Sequence, residues 1–410
     1  MLKTVLTAAA ICGLLAPISR AQESDLGISV PITLSAGGMY TQRLSLADPG
    51  TSPFTAGFRA MLYPTVKLGK HWFGYAAIET RLAPYLYYDA YEPDHEFYNN
   101  VIQAFVGYSV QTEKTAVVIK AGRLASAFGS FPLRYDDAEN PLLDQPLGYI
   151  QTLSLDYGQI PCGVNDLASQ HYGFVNNLCG GQGGGPGLTP VTLYGLDGVE
   201  VDFSGYHVDG RLQITNSSPA YPQPIQLTGE YAQWAAGAGY TIRQGWRVGV
   251  SAFRGPYLDA PLIPFLPAGL TLRSFPATGI GADAQWAHGR WSATGEWQRF
   301  QFDYPNFTTA PSVISEYGEL KAVVTPRFFL AGRAGWMKPG GAADNTGVSI
   351  GQFAPSIASY ELAAGSWINR HQLVKASYEW LRIQNMPGSR LDVLGVQFVT
   401  TFHAWDQTFR

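Results

Sequence analysis

The chain has 410 residues, of which 14% are charged and 13% aromatic, and a formal net charge of −4. Ordinary soluble domains carry about 25% charged residues, so the composition does not match one, and the near-neutral balance offers no basic footprint for a nucleic-acid partner. With 46 Gly, 23 Tyr, 21 Phe and 10 Trp, it favours strands and turns over helices.

Residues 1–21 read as a secretory signal. Lys3 gives the positive start, residues 5–15 the short apolar core, and Ser19-Arg20-Ala21 a small-x-small cleavage site ahead of Gln22. Cys12 lies inside that core behind Ile11, too large for a lipoprotein signal, so it leaves with the peptide. Residues 22–410 form one domain. They contain no run of 18 apolar residues, so no membrane-spanning helix is expected. Barrel strands escape that test, because polar and apolar residues alternate along them.

Alternation is the main signal along the chain. Phe58, Ala60, Leu62, Val66 and Leu68 share one parity, against Arg59, Thr65 and Lys67. Trp72, Ala76, Ile78, Leu82 and Leu86 oppose Glu79 and Arg81, Val199, Val201 and Phe203 oppose Glu200 and Asp202, and Val374, Ala376, Tyr378 and Trp380 oppose Lys375 and Glu379. A strand puts alternate residues on opposite faces, so each segment has one apolar and one polar face. A soluble sandwich with one wet face also fits this pattern.

Three features favour a barrel. Tight turns (Gly69-Lys70, Thr112-Glu113-Lys114, Val208-Asp209-Gly210, Gln244-Gly245, His288-Gly289, Pro326, Asn369-Arg370) alternate with longer Pro- and Gly-rich connections at 46–53, 90–94, 128–190, 217–227, 255–275, 305–312, 338–355 and 385–389. An up-and-down transmembrane barrel has this short-long rhythm. Trp72, Trp246, Trp291 and Phe328 each begin the strand after a tight turn, as an aromatic girdle at one membrane interface would. Leu394, Val396, Phe398, Thr400 and Phe402 share one parity in a terminal strand that ends on an aromatic residue, with a tail at 403–410. This strand resembles the one by which outer-membrane barrels are recognised by the barrel-assembly machinery.

The expected architecture is therefore an all-β, transmembrane, up-and-down antiparallel β-barrel of about sixteen strands. They are placed at 29–44, 55–68, 71–88, 97–111, 115–125, 194–207, 210–217, 229–243, 246–254, 277–288, 290–304, 313–325, 327–338, 356–369, 371–384 and 390–402. Pro64 and Pro84 fall inside two of them, where a missing N–H breaks the ladder.

The one long break, at 128–190, takes the third external position, and so long a loop in a compact domain is either functional or evidence against the assignment. It divides into a charged part, 128–149, and a cysteine-bracketed flap and linker. Cys162 and Cys179 are read as a disulfide in an exported protein, with a metal pair as the lesser alternative, since only His171 lies nearby. Gly180 and its neighbours to Gly187 lack the Lys-Ser/Thr of a phosphate loop and read as a linker.

The layout, with its long third loop, resembles the sixteen-stranded bacterial outer-membrane porins. Val118-Ile119-Lys120-Ala121-Gly122-Arg123, followed by Ala127-Phe128-Gly129, resembles the strand leading into that loop in the phosphate-selective (O and P) porin superfamily, with Ala127 where that family has Pro. The resemblance implies a passive, trimeric diffusion channel whose third loop folds inward. It does not carry over the arginine ladder and lysine cluster of phosphate selectivity.

By parity, the lumen-facing charges include Arg59, Lys67, Arg81, Lys120, Arg211, Arg243, Arg247, Lys321, Arg333 and Lys375, against Glu79, Glu200, Asp202, Asp283, Glu296, Glu319, Glu361 and Glu379. Either they set up a transverse field or they pair between strands and keep the lumen wet. In the long loop, Arg134, Asp136, Asp137, Glu139 and Asp144 are candidate constriction residues facing the basic wall; alternatively, Arg134 pairs with Asp136 or Asp137 and pins the loop. No catalytic, metal or cofactor motif stands out. The expected function is passive diffusion of small polar or charged solutes through the outer membrane. The competing reading is a secreted β-protein that binds or cleaves glycans, with Asp136-Asp137 as its acids.

Overall fold

The structure, a computed structural model, describes residues 26–41, 52–82, 97–153, 155–170, 178–181, 187–192, 195–216, 232–384 and 390–409. The signal peptide, His171 and Pro84 lie outside them. No described helix is long and apolar enough to cross a membrane.

Sixteen antiparallel staves close into one barrel. They are β1 (Leu26–Tyr40), β2 (Phe54–Leu62, continued as Thr65–Leu68), β3 (Trp72–Leu82), β4 (Phe97–Gln111), β5 (Thr115–Leu124), β6 (Leu196–Gly205), β7 (Val208–Thr215) and β8 (Gln233–Arg243). There follow β9 (Trp246–Pro256), β10 (Pro276–His288), β11 (Trp291–Phe302), β12 (Ser312–Thr325), β13 (Phe328–Pro339), β14 (Ile357–Asn369), β15 (Gln372–Ile383) and β16 (Arg390–Phe409). Each pairs with the next in sequence, and β16 returns to β1 from Leu26↔Phe409 to Tyr40↔Leu394. Closure leaves no sheet edge to be satisfied by solvent.

Two expectations are corrected, and the ladder break expected at Pro64 is found. The tail at 403–410 is not a tail: β16 continues to Phe409, because β1 begins at Leu26 and gives it a partner, past a bulge at Val30/Pro31. The turn placed at 208–210 lies instead at Tyr206 and His207, whose φ values of 50° and 69° form the left-handed corner. Pro64 splits β2: Tyr63 N donates to Pro31 O at 2.9 Å, and Pro64 O accepts from Ala76 N at 3.0 Å. The wall there is held by these two bonds rather than a regular ladder.

The parity reading holds around the wall. Outward positions such as Val199, Val201, Leu212, Val248, Val250, Leu320, Leu362, Leu394 and Val396 are exposed, while Arg59, Glu79, Glu200, Glu296, Glu319, Arg333, Glu361, Lys375 and Glu379 are buried inside. Trp72, Trp246 and Trp291 are outward and exposed at the tight-turn end, and Phe328 is half-buried there. Tyr108 packs edge-on to Trp72 at 4.9 Å and Trp286 lies 6.1 Å from Trp246, extending the row of rings. At the other end the outward rings Trp336, Tyr360 and Trp380 stand in contact, with centroids 5.7 and 4.8 Å apart. Apolar staves between two aromatic rows match the chemistry of a bilayer-spanning band.

The largest apolar core lies inside the barrel, not between layers. Phe128, Phe131, Leu147 and Tyr149 from the long β5–β6 connection pack with Phe253, Phe300 and Phe302 of the wall and with Tyr257, Tyr304 and Phe353 of other long connections. The flap is a short hairpin, Gln159–Pro161 with Leu178–Gly181, closed by the Cys162–Cys179 disulfide. Asn306 donates to Pro161 O at 3.2 Å and Val164 N to Asp344 at 3.1 Å, so the flap is tied to two neighbouring connections at the long-loop end.

Candidate functional site

Residues 125–150 cross the interior, and each step is anchored to an inward-facing side chain. Gln213 on β7 takes the first hold, donating to Ala125 O at 2.7 Å. Gly129 N donates to Ser251 on β9 at 3.2 Å, and Arg211 donates to Gly129 O at 3.1 Å. Ser130 N donates to Glu296 on β11 at 2.6 Å, where Tyr149 OH also arrives at 3.0 Å and is itself met by Gln298 at 2.7 Å. Phe128 wedges between Phe253 and Phe300, with centroids at 5.0 and 5.7 Å.

Gly129 makes the turn possible. Its φ is +79°, and a Cβ there would sit 2.0 Å from Tyr149 Oη and 2.8 Å from Glu296 Oε1. Only glycine accepts both the left-handed backbone and that proximity.

The charged part then spans to other strands. Arg134 donates to Glu319 on β12 at 2.8 Å. Arg59 on β2 donates to Glu79 at 2.6 Å, to Asp137 at 3.2 Å and to Tyr135 O at 3.3 Å. Asp136 accepts from Tyr63 OH and from Ala138 N. Lys375 on β15 is fully buried and donates to Asp137 O at 2.8 Å and to Asn140 O and Leu142 O, each at 3.0 Å. Glu361 on β14 accepts from Leu143 N at 2.9 Å and Asp144 N at 3.3 Å, while Arg333 on β13 reaches Asp144 O at 2.5 Å and Glu361 at 2.8 Å. The loop is thus fixed to β2, β7, β9 and β11–β15.

Several expectations change. Arg134 pairs with neither Asp136 nor Asp137; its extended side chain finds Glu319 across the interior. Asp144 does not face a basic wall, for its carboxyl lies among Glu379, Glu361 and Arg333. Burial, then Glu379 and Glu361, push it well above the usual carboxylate range, and Arg333 opposes them. Burial and Asp136 also push Glu139 up, against Arg134. Arg243 does not turn inward. A bulge at Thr241/Arg243 breaks the parity, and its guanidinium sits 5.5 Å over the ring of outward Trp246.

The remaining inward charges pair locally. Lys120 reaches Glu200 at 2.7 Å and Asp202 at 2.5 Å, and Arg247 reaches Asp209 at 2.6 Å and Asp283 at 2.7 Å. Arg333 bridges Glu319 at 3.5 Å and Glu361 at 2.8 Å. Arg81 lies 5.1 Å over the Tyr98 ring, and Lys321 4.4 Å over Phe329. Of the two readings of the mixed charges, these contacts are the pairwise one.

Leu133, 60% exposed, stands at the loop tip. Beside it, toward β1–β3, is a cavity of about 490 Å³ lined by Tyr63, Tyr75, Tyr135, Asp136 and Glu139. Tyr63, Tyr149 and Ser130 were not among the sequence candidates. A tyrosine at an inward position beside a Pro break is the only local mark of Tyr63, and nothing local marks the other two.

No protein-family model matches the chain, and no curated protein matches it. Among solved structures, outer-membrane-expressed OmpT of Vibrio cholerae superposes with a TM-score of 0.53 at 10% identity, over 94% of this chain and 100% of that one. The trimer form of in-vitro folded OmpT of Vibrio cholerae gives 0.54 at 10%, over 92% and 99%. OmpF of Salmonella typhi in complex with daunomycin gives 0.55 at 9%, over 92% and 97%. At these identities the likeness is one of fold.

Proposed function

We propose that this chain is an outer-membrane porin, a water-filled channel for passive diffusion of small polar or charged solutes. The observation that carries the reading is a closed barrel, apolar outside and charged inside, with residues 125–150 docked across its interior. An apolar outer band needs lipid around it, and a charged interior needs water within. A secreted glycan-binding protein has no use for that exposed apolar band, and the Asp136-Asp137 pair is committed to Tyr63 and Arg59.

In this reading the tip of the loop around Leu133–Tyr135 sets the narrowest point, with Asp136, Asp137 and Glu139 on its flank. Lys120 and Arg247 add inward charge elsewhere on the wall, and Arg59, Arg81, Arg211, Glu296, Arg333 and Lys375 hold the frame. The paired charges support a channel of mild ion preference. The phosphate-selective superfamily enters only through the likeness of the strand leading into the loop, because the inward arginines are matched by carboxylates rather than ranked in a ladder. A homotrimer is the assembly the layout supports, and the strand ending at Phe409 is the segment offered to the assembly machinery.

Deletion of residues 136–144 tests the constriction. Single-channel conductance in planar bilayers should rise while heat-modifiable migration on gels, the mark of a folded barrel, persists. Unchanged conductance places the loop outside the permeation path, and absence of channels from the intact protein rejects the porin reading itself. The reversal potential in a salt gradient reads the sign of selectivity.

A further inference from the structure

The outer wall between β9 and β15 is not uniform. In register across four strands run Ala284, Gly295, Gly318 and Ala334, and the next row toward the tight turns holds Ala293, Leu320 and Gly332. These positions face outward, as the exposure of Trp291, Trp297, Leu320 and Leu330 on the same parity shows. With so little side chain there, the wall is hollowed. The hollow encloses about 640 Å³, walled by Trp246 and Trp286 toward the turns and by Tyr360 and Trp380 to one side. A second hollow of about 470 Å³ continues it toward the long-loop end between Trp297 and Trp336.

Above the tryptophans the chemistry changes sign. Trp297, Glu316 and Trp336 are in register, and one row further toward the long loops stand Arg299, Ile314 and Lys338. Lys338 pairs with Glu316 at 2.6 Å on the surface. Arg299 is exposed and has no ion-pair partner among the described residues. Same-face positions two apart are about 7 Å apart along a strand, so Arg299 lies about 13 Å from the level of Gly295. An apolar trough capped by rings and then by cations is complementary to one kind of molecule, an acyl chain carrying an anionic headgroup.

We propose that this trough is a binding site for a phosphate-bearing acyl lipid of the leaflet at the long-loop end, with its chain against Gly295, Gly318 and Trp286 and its phosphate on Arg299 and Lys338. The site rests on the reading of the barrel as membrane-spanning, and goes beyond general solvation by lipid because it fixes position, headgroup charge and stoichiometry. A second copy of this chain is the competing occupant. A lipid is favoured because the edge beyond the rings carries Arg299 and Lys338 against the single acid Glu316, a net positive rim that suits an anionic headgroup.

The test uses the full barrel purified in detergent with phosphatidylglycerol and phosphatidylcholine of matched chains, read by native mass spectrometry. The wild type should retain one phosphatidylglycerol in preference to phosphatidylcholine. Arg299→Gln with Lys338→Gln should lower that preference about twenty-five-fold, since each cation near a headgroup contributes about fivefold. Gly318→Leu should reduce retention of both lipids by filling the trough. A Cβ at Gly318 meets nothing within 4 Å, so the sheet accommodates it. Equal retention of the two lipids by the wild type, or retention indifferent to Gly318→Leu, overturns the proposal. So does a change of oligomeric state in Gly318→Leu, which makes the face a seam between copies. Planar-bilayer recordings keep the two readings apart. Channels without lipid preference reject only this site, while absence of channels rejects the membrane reading beneath it.

Discussion

Replacing Lys375 with Met removes the buried cation that holds three backbone carbonyls of the loop. The ammonium sits with no exposure and donates to three carbonyls at 2.8–3.0 Å. A hydrogen bond to a charged group contributes about 1.5–3 kcal/mol, and burial of the ammonium takes several kcal/mol back. Methionine fills similar volume but leaves three carbonyls without donors, so a net loss of about 3 kcal/mol in loop docking follows. That is about a hundredfold rise in the fraction of time the 137–142 segment is undocked, at about 1.4 kcal/mol per decade. The barrel ladder is untouched, so heat-modifiable migration should stay at the wild-type temperature. Single-channel records should show larger mean conductance and frequent steps between two levels. Wild-type conductance and noise in Lys375→Met would refute the reasoning, because the loop would then be held without its central cation.

Three further outcomes follow from the same geometry. Gly129→Ala places a Cβ against Tyr149 and Glu296 at a φ of +79°, so docking of the loop start should weaken by about 2 kcal/mol or more, seen as raised channel noise and faster proteolysis near residue 130. Asp144 has a folded pKa raised above its unfolded value by burial, Glu379 and Glu361. Its contribution is therefore complete below the unfolded value near 4 and is lost as pH rises through the folded value. Channel noise should increase with pH in the wild type and respond less in Asp144→Asn; parallel profiles would show that another group controls docking. Replacing both Cys162 and Cys179 with Ser releases a closure of sequence separation 17, worth about 3 kcal/mol locally. Proteolysis should then cut within the flap while conductance and barrel heat stability hold, and a conductance change would place the flap in the permeation path.

The staves were legible because each must satisfy a period of two on its own residues, and the short-long rhythm of turns placed the connections. The ends were less so. Whether β16 stops at Phe402 or Phe409 is decided by where β1 begins, almost the whole chain away. The inward carboxylates were legible by parity, but their partners were not. Lys375 meets Asp137 across 238 positions and Arg134 meets Glu319 across 185, and no local pattern encodes those separations. Register contains part of the missing information. Glu319 lies opposite Arg333 and Arg333 opposite Glu361, so once neighbouring strands are aligned the ladder Glu-Arg-Glu appears, ready to receive a loop. Arg243 shows the reverse case, where a bulge at a turn undoes a correct parity rule.

The anchors of residues 125–150 also impose an order in time. Glu296, Glu319, Arg333, Glu361 and Lys375 all lie downstream of the segment they hold, the last by more than two hundred residues. None of these bonds can form until the strands that bear them have joined the sheet, and closing so long a separation is entropically late. Docking of residues 137–144 is therefore late, and a chain cut before β15 would lack both Lys375, which holds residues 137–142, and the strand whose pairing with β1 closes the wall.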